Sequence, residues 1–401
     1  MNVGSNKFCI ECRACVQIFA KTAIIMKPNE EGFSYPSVDL DVCSDCGLCT
    51  KVCPMLHPEE LKHPTGSIYA AQSRDERTLS FSSSGGIFSS IAECVLKKNG
   101  MVYGAAWNDN LQLRHIGIDS IEELEKLRGS KYVHSEIGNT YREIRSILSS
   151  GRWVYFVGTP CQVAGLKLFL RKNYETLLTS DFICHGTPSQ KLFDRFVLQM
   201  EKERNLKVID YKFRDKKVMG WTCASSSSSC KDKRGNVHYL YYDRNMRSYF
   251  RAFLNGHITR YDCYECKFAC PTRVGDITLA DYWGIQQQHP DFPQIKKGVS
   301  LLIVNTPQGK EILNEIKKSI ILVKSSTDKV RQTSNHNLYA PTPIPGERKD
   351  SYMLAEKDFI AFRDHYLEGD APESYFRRIY IKKRIIQLPL LKILFRCLGK
   401  D

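Results

Sequence analysis

Hydrophobic and polar positions change rhythm near residue 67. Beyond it, short apolar runs alternate with longer stretches in which apolar residues recur three and four apart, the spacings of buried strands and amphipathic helices. Residues 67–72, 101–107, 153–157 and 300–304 are expected to be strands. Residues 86–98, 121–127, 139–149, 163–171 and 190–203 are expected to be helices, the last three carrying the clearest apolar stripes. Such alternation predicts an α/β or α+β domain. The serine run 225–229 reads as a loop or an exposed strand.

The first sixty residues follow neither rhythm. Cys9-Ile10-Glu11-Cys12-Arg13-Ala14-Cys15 and Cys43-Ser44-Asp45-Cys46-Gly47-Leu48-Cys49 repeat one pattern within a short span. His57-Pro58, His63-Pro64 and Thr65-Gly66 then read as a linker. At the other end, Arg377, Arg378, Lys382, Lys383, Arg384, Lys392 and Arg396 interleave with apolar residues such as Ile385, Leu390 and Leu394. A basic amphipathic helix of that kind suits peripheral contact with an anionic membrane or a partner protein, and equally a terminal helix docked on the core. The expected organisation is a ferredoxin-type module at 1–62, a main domain at 63–345 and a basic helical tail at 346–401. The fold class is α+β: a small cluster module followed by a larger α/β-type domain.

Composition narrows the chemistry. No apolar run reaches the roughly 18 residues that span a bilayer, and the first seven residues lack a signal peptide's apolar stretch, so a cytoplasmic location is expected. Sixteen cysteines in a reducing compartment are better explained by metal ligation than by disulfides. The net charge of +14 would suit nucleic acid, but no recognisable nucleic-acid motif accompanies it, and an acidic partner or an anionic cofactor explains it as well. No nucleic-acid partner is expected.

Cys43-x2-Cys46-x2-Cys49-x3-Cys53-Pro54 is the bacterial cluster-binding run, in which three thiolates hold one cubane and the fourth reaches across to the other. By that rule Cys9, Cys12, Cys15 and Cys53 complete one 4Fe-4S ligand set. Zinc is the alternative, disfavoured because its sites usually pair two CxxC units. The first run breaks the pattern: Phe19-Ala20 stands where Cys-Pro is expected, so Cys43, Cys46 and Cys49 lack their usual fourth thiolate. That site is left with a three-iron cluster, a four-iron cluster with a non-protein ligand, or completion by a distant cysteine.

The main domain carries Gly158-Thr159-Pro160-Cys161-Gln162, Ile183-Cys184-His185-Gly186, and Cys263-Tyr264-Glu265-Cys266-Lys267-Phe268-Ala269-Cys270 followed by Asp276 to Gly284. Cys161 follows a predicted strand, at the lip of the sheet where α/β folds build sites. Four cysteines at turn positions within one domain point to a further cluster. Cys94 and Cys397 read as buried structural cysteines. With Ser83-Ser84-Gly85-Gly86, Gly129-Ser130-Lys131-Tyr132 and Phe213-Arg214-Asp215-Lys216, these segments resemble the family of coenzyme F420 hydrogenase/dehydrogenase beta subunits over residues 9–307, about three quarters of the chain. Members of that family bind FAD and a 4Fe-4S cluster and often carry a fused ferredoxin module.

The resemblance implies that Cys161, Cys184, Cys263 and Cys266 ligate the main domain's cluster; Cys270 is extra to that pattern and open to substituting for one of them. It also implies FAD, with Ser84, Gly85, Gly86, Ser130, Lys131 and Tyr132 as cofactor residues. Amides at the entry to a helix suit the pyrophosphate, and the Lys131 ammonium, the one catalytic group expected, would stabilise negative charge on a reduced flavin. Asp276 and Asp281 are expected to fix a loop or bind cofactor hydroxyls. The expected function is a flavin-dependent iron–sulfur oxidoreductase linking an electron-donor or acceptor protein to a small-molecule substrate, coenzyme F420 or another organic acceptor such as an intermediate of surface polysaccharide synthesis. A non-catalytic relay subunit is the competing expectation.

Overall fold

The computed structural model describes residues 3, 8–19, 23–222 and 225–370. Cys223, Cys397 and the basic residues from Arg377 onward lie outside them. Among the described residues there are thirteen strands: β1 Ile24–Pro28, β2 Ser34–Val38, β3 Ser67–Ser73, β4 Met101–Trp107, β5 Leu113–Ile118, β6 Val154–Val157, β7 Leu177–Phe182, β8 Lys207–Lys212, β9 Ser227–Lys231, β10 Val237–Tyr241, β11 Ile277–Asp281, β12 Ser300–Val304 and β13 Ile320–Lys324.

Eight of them form one mixed sheet in the order β13-β3-β12-β11-β7-β6-β4-β5. Its centre, β11-β7-β6-β4, is parallel, and antiparallel strands flank it on both sides. Parallel strands need both faces covered, and the side chains obey period two. Val102, Tyr155 and Leu178 join one core with Ile87, Ile91 and Val95 of the helix Ile87–Lys97. Tyr103, Val154, Phe156 and Leu177 point the other way, against Tyr141 and Ile144 of Thr140–Ser149 and Val163 and Leu166 of Pro160–Leu170. Each such side chain contributes roughly 1.5–3 kcal/mol when fully buried. The fold is α+β, a small ferredoxin-like module followed by a larger α/β domain.

The second core also takes Ile10, Cys12, Ala14 and Val52, so the cysteine-rich module shares its interior with the main domain. Polar bonds reinforce the junction. Tyr141 and Arg142 N–H groups donate to Gln17 Oε1 at 3.0 and 3.2 Å, and the Arg142 guanidinium reaches the carbonyls of Gln17 and Phe19. Arg348, 1% exposed, grips both carboxylate oxygens of Glu31 at 2.5 and 2.7 Å. The segment expected to act as a linker is docked too, with His63 and Arg273 exchanging backbone hydrogen bonds.

Three features differ from the sequence reading. Ser225 to Ser228 are buried rather than exposed, because β9 is the middle strand of a second sheet, β10-β9-β8, and hydroxyls of Ser225, Ser226 and Ser227 donate to Asp215 or Phe213. The helix expected over 121–127 is confined to Leu124–Leu127. The described part of the expected tail contains two helices, Arg348–Lys357 and Phe359–Leu367, whose Tyr352, Ala355, Phe359 and Phe362 pack into a third core with Phe193, Phe196 and Tyr249.

Candidate functional site

The two cysteine repeats share a backbone as well as a spacing. Glu11 and Asp45 both sit in the left-handed region, at φ 55° and 48°, and so do Arg13 and Gly47, at 58° and 69°. Each repeat then enters a one-turn helix, Ala14–Gln17 or Leu48–Lys51. A non-glycine residue held left-handed costs about 1–2 kcal/mol, so three such positions imply that the curled loop is needed. The curl brings the sulfurs together: Cys12 lies within electrostatic reach of Cys53, Cys15 and Cys9, and Cys15 of Cys9, Cys53 and Cys49. Burial and mutual repulsion push the Cys15 thiol up to about 12. Such a donor set is stable as thiolates only around a cation, which fits the group expected there.

Cys43, Cys46 and Cys49 line a separate cavity of 210 Å³, together with Phe19, Ser44 and Asp45. Phe19 therefore stands at the second set. Neither Cys94 nor Cys270 lines that cavity. Cys94, only half-buried rather than buried, donates to Glu315 at 3.2 Å, and Cys270 lies beside Cys266, bonded to Thr272.

In the main domain, Cys161, Cys184, Cys263 and Cys266 converge from three separate segments of the chain. Cys184 feels Cys263, Cys161 and Cys266, while Cys161 feels Cys266 and Cys263. Burial is the main cause that lifts Cys161 to about 12 and Cys263 to about 11. Local structure explains the convergence. Cys161 opens the helix Pro160–Leu170, capped by Thr159, where the helix dipole favours a thiolate. Gly186, at φ 110°, lets the Cys184 loop close on its neighbour, since a Cβ there would lie 2.9 Å from Thr259 and 3.2 Å from Cys263. The Gly186 and Glu11 amides donate to the sulfurs of Cys184 and Cys9, each at 3.4 Å. Among the described residues, no three Cys, His, Asp or Glu side chains form the compact group that a single metal ion takes.

Beside this group opens a cavity of 1110 Å³, above the usual 300–1,000 Å³ of small-molecule sites and so suited to a dinucleotide-sized ligand. Ser84, Gly86, Ser130, Lys131 and Tyr132 line it, as does Cys184. Gly86, at φ 81°, is the N-cap of Ile87–Lys97 and offers no side-chain cap, so the first-turn amides remain for a ligand's anionic group. Gly85 has a different job. Its amide donates to Ser300 Oγ at 3.0 Å, and a Cβ would lie 2.4 Å from the Ala71 carbonyl oxygen, so it is small in order to pack against the sheet. Lys131 also differs from expectation. Its ammonium donates to the carbonyls of Leu127, Arg128 and Gly129 at 3.3, 2.8 and 3.2 Å, and burial lowers its pKa to about 8.

Asp276 accepts from Thr179 and Thr306 and serves the loop. Asp281 accepts from Trp221 Nε1 at 2.7 Å and Arg214 at 3.3 Å, and the Arg214 guanidinium lies over the Trp283 ring. Arg214, Asp281 and Trp283 all line the cavity. In the sequence Arg214 stands out only as part of a motif, and nothing local marks Arg260, Tyr141 or Gly165. Gly165 lies one helical turn beyond Cys161 and faces Cys12, while Tyr141 Oη donates to the Gln162 carbonyl at 2.8 Å and lies within reach of both Cys12 and Cys161.

Comparison with known proteins places the chain in a family. The family described as coenzyme F420 hydrogenase/dehydrogenase, beta subunit, matches through its N-terminal part at residues 68–140 and its C-terminal part at 151–329, and a 4Fe-4S dicluster domain matches residues 8–56. A subunit of the F(420)H(2) dehydrogenase of Methanosarcina mazei is 23% identical over 250 residues, covering 59% of this chain and 67% of that protein. A chain of the F420-reducing NiFe hydrogenase complex from Methanosarcina barkeri superposes with a TM-score of 0.44 at 17% identity, covering 78% of this chain and 94% of that one. The chain is an iron–sulfur electron-transfer protein and belongs to the family of coenzyme F420 hydrogenase/dehydrogenase beta subunits.

Proposed function

We propose that this chain is a flavin-dependent iron–sulfur oxidoreductase component that moves electrons between a partner protein and a small organic substrate of the coenzyme F420 type. The supporting observation is that Cys184 belongs to the converging thiols and also to the wall of the large cavity. Cys9, Cys12, Cys15 and Cys53 would hold one 4Fe-4S cluster, Cys161, Cys184, Cys263 and Cys266 another, and Cys43, Cys46 and Cys49 a third site. The cavity would hold FAD. Clusters carry single electrons and a flavin exchanges one or two, the junction that hydride chemistry requires.

The chain's own residues divide the work. The amides at Gly86 receive the cofactor's anionic end, and Lys131 fixes the neighbouring turn by bonding its carbonyls. Tyr132 supplies an aromatic wall, stacked at 4.7 Å on Phe253. The division into 1–62, 63–345 and 346–401 is kept as a functional one: cluster module, flavin and cluster domain, and a terminal segment available to a partner or a membrane surface. A relative described as one subunit of a larger dehydrogenase favours a partner protein, and it keeps alive the reading of a relay that delivers electrons elsewhere.

Anaerobic purification with iron, sulfide and flavin quantification tests the assignment. The expected result is bound FAD that is reduced by reduced coenzyme F420, with Cys184→Ser losing iron near the cavity. Full iron with no flavin would leave the relay reading standing instead.

A further inference from the structure

Arg260 is a guanidinium 1% exposed, set between the cysteine-rich module and the main domain. Its backbone belongs to the main-domain site. The Arg260 N–H donates to the Thr187 carbonyl at 3.1 Å, just past the Cys184 loop, and its carbonyl accepts from the Cys263 N–H at 3.0 Å. Its side chain crosses to the other site. Nη1 donates to Glu11 Oε2 at 3.0 Å, and Glu11 lies between Cys9 and Cys12, while Nη2 donates to the Ser34 carbonyl at 3.0 Å. Nε donates to Asp262 at 2.9 Å, and the guanidinium lies 4.2 Å from the centre of the Tyr35 ring.

We propose that Arg260 is a fixed positive charge shared by the Cys9/Cys12/Cys15/Cys53 and Cys161/Cys184/Cys263/Cys266 sites, which holds both reduction potentials up together. The proposal rests on the reading that both sites hold clusters. Reducing a cluster adds negative charge, and a nearby buried cation stabilises the reduced state with little screening by salt. The guanidinium's charge is felt by both Cys9 and Cys263. Around it stand Glu11, Asp262 and, 3.7 Å from Glu11, His134. Without Arg260, two carboxylates would face both sites uncompensated. The cation therefore also removes an electrostatic barrier at the step between the two clusters.

The test uses the full-length protein, anaerobically reconstituted, with each cluster's midpoint read by redox titration monitored by electron paramagnetic resonance. Arg260→Gln should lower both midpoints, making each cluster at least tenfold harder to reduce, about 59 mV for a one-electron couple. Glu11→Gln keeps an acceptor for Ser34 and removes a negative charge, so it should raise both. Arg260→Lys should stay near wild type, and the Cys43/Cys46/Cys49 site should move least in every variant. Opposite shifts from the two neutralising changes are not what a merely structural residue produces, and Glu11→Gln and Arg260→Lys carry the test if Arg260→Gln fails to fold. Iron and sulfide are counted first. Wild-type protein without a main-domain cluster overturns the underlying reading and the proposal with it, whereas full iron with unmoved midpoints overturns the role of Arg260 alone.

Discussion

Gly165 and Cys12 meet across the junction between module and main domain: a Cβ on Gly165 would lie 2.9 Å from Cys12 Cβ and 3.0 Å from its sulfur. A side chain there must displace a cysteine of the cluster module, with Tyr141 Oη only 3.1 Å away on the same side. Gly165→Val should destabilise the protein by about 1–3 kcal/mol through overpacking. It should also slow electron passage from module to main domain. Calorimetry and stopped-flow reduction check this, and a variant that matched wild type in both would mean the contact is slack.

Cys53 is the crossing ligand by motif, and its sulfur acts on both Cys12 and Cys15. Cys53→Ser should therefore damage the complete site while Cys43, Cys46 and Cys49 keep their cavity. Iron content should fall by about one cluster, with loss of that site's resonance signal. An unchanged spectrum would refute the assignment.

Phe19 lines the cavity of the incomplete set. An iron without a protein thiolate is more easily lost, so this site is expected to be the oxygen-labile one and to yield a three-iron signal after brief air exposure. Phe19→Cys should supply the fourth thiolate and protect it. If wild type instead carries two equally robust four-iron clusters, another residue completes the site, and Asp45→Ala and Cys397→Ser become the decisive variants.

His115 is buried against the cavity, bonded to Ser135 Oγ at 2.8 Å and the Val157 carbonyl at 3.0 Å, and burial lowers its pKa to about 4. Between that value and the ordinary 6.5 the unfolded chain binds the proton and the folded chain does not, so stability falls as pH drops through this window. The loss at the bottom should approach about 3 kcal/mol. His115→Gln should flatten this part of the pH profile measured by denaturant unfolding. An unchanged slope would assign the acid sensitivity to other groups.

How far the sequence carried is clearest residue by residue. Strands 101–107 and 300–304 were legible because each is a run of apolar residues long enough for a buried strand, and both occur with those bounds. The cysteine repeat was legible because ligand spacing is local. The buried serines were not, since their burial depends on acceptors supplied by Asp215 and Phe213. Arg260 was invisible for the same reason, as its partner Glu11 is 249 positions away. Gly85 and Lys131 stand out in the sequence only by adjacency to a turn, while their partners are a neighbouring strand and three carbonyls.

The grip of Arg348 on Glu31, of Arg142 on the Gln17 and Phe19 carbonyls, and of the shared core on Ile10 and Ala14 pins the described residues of the cysteine-rich module to the main domain. Its wiring is soldered rather than carried by a tethered arm. Transfer from module to main domain should then be governed by a constant through-protein distance, indifferent to solvent viscosity. On the proposed function, any diffusive, concentration-dependent step falls at the encounter with a redox partner.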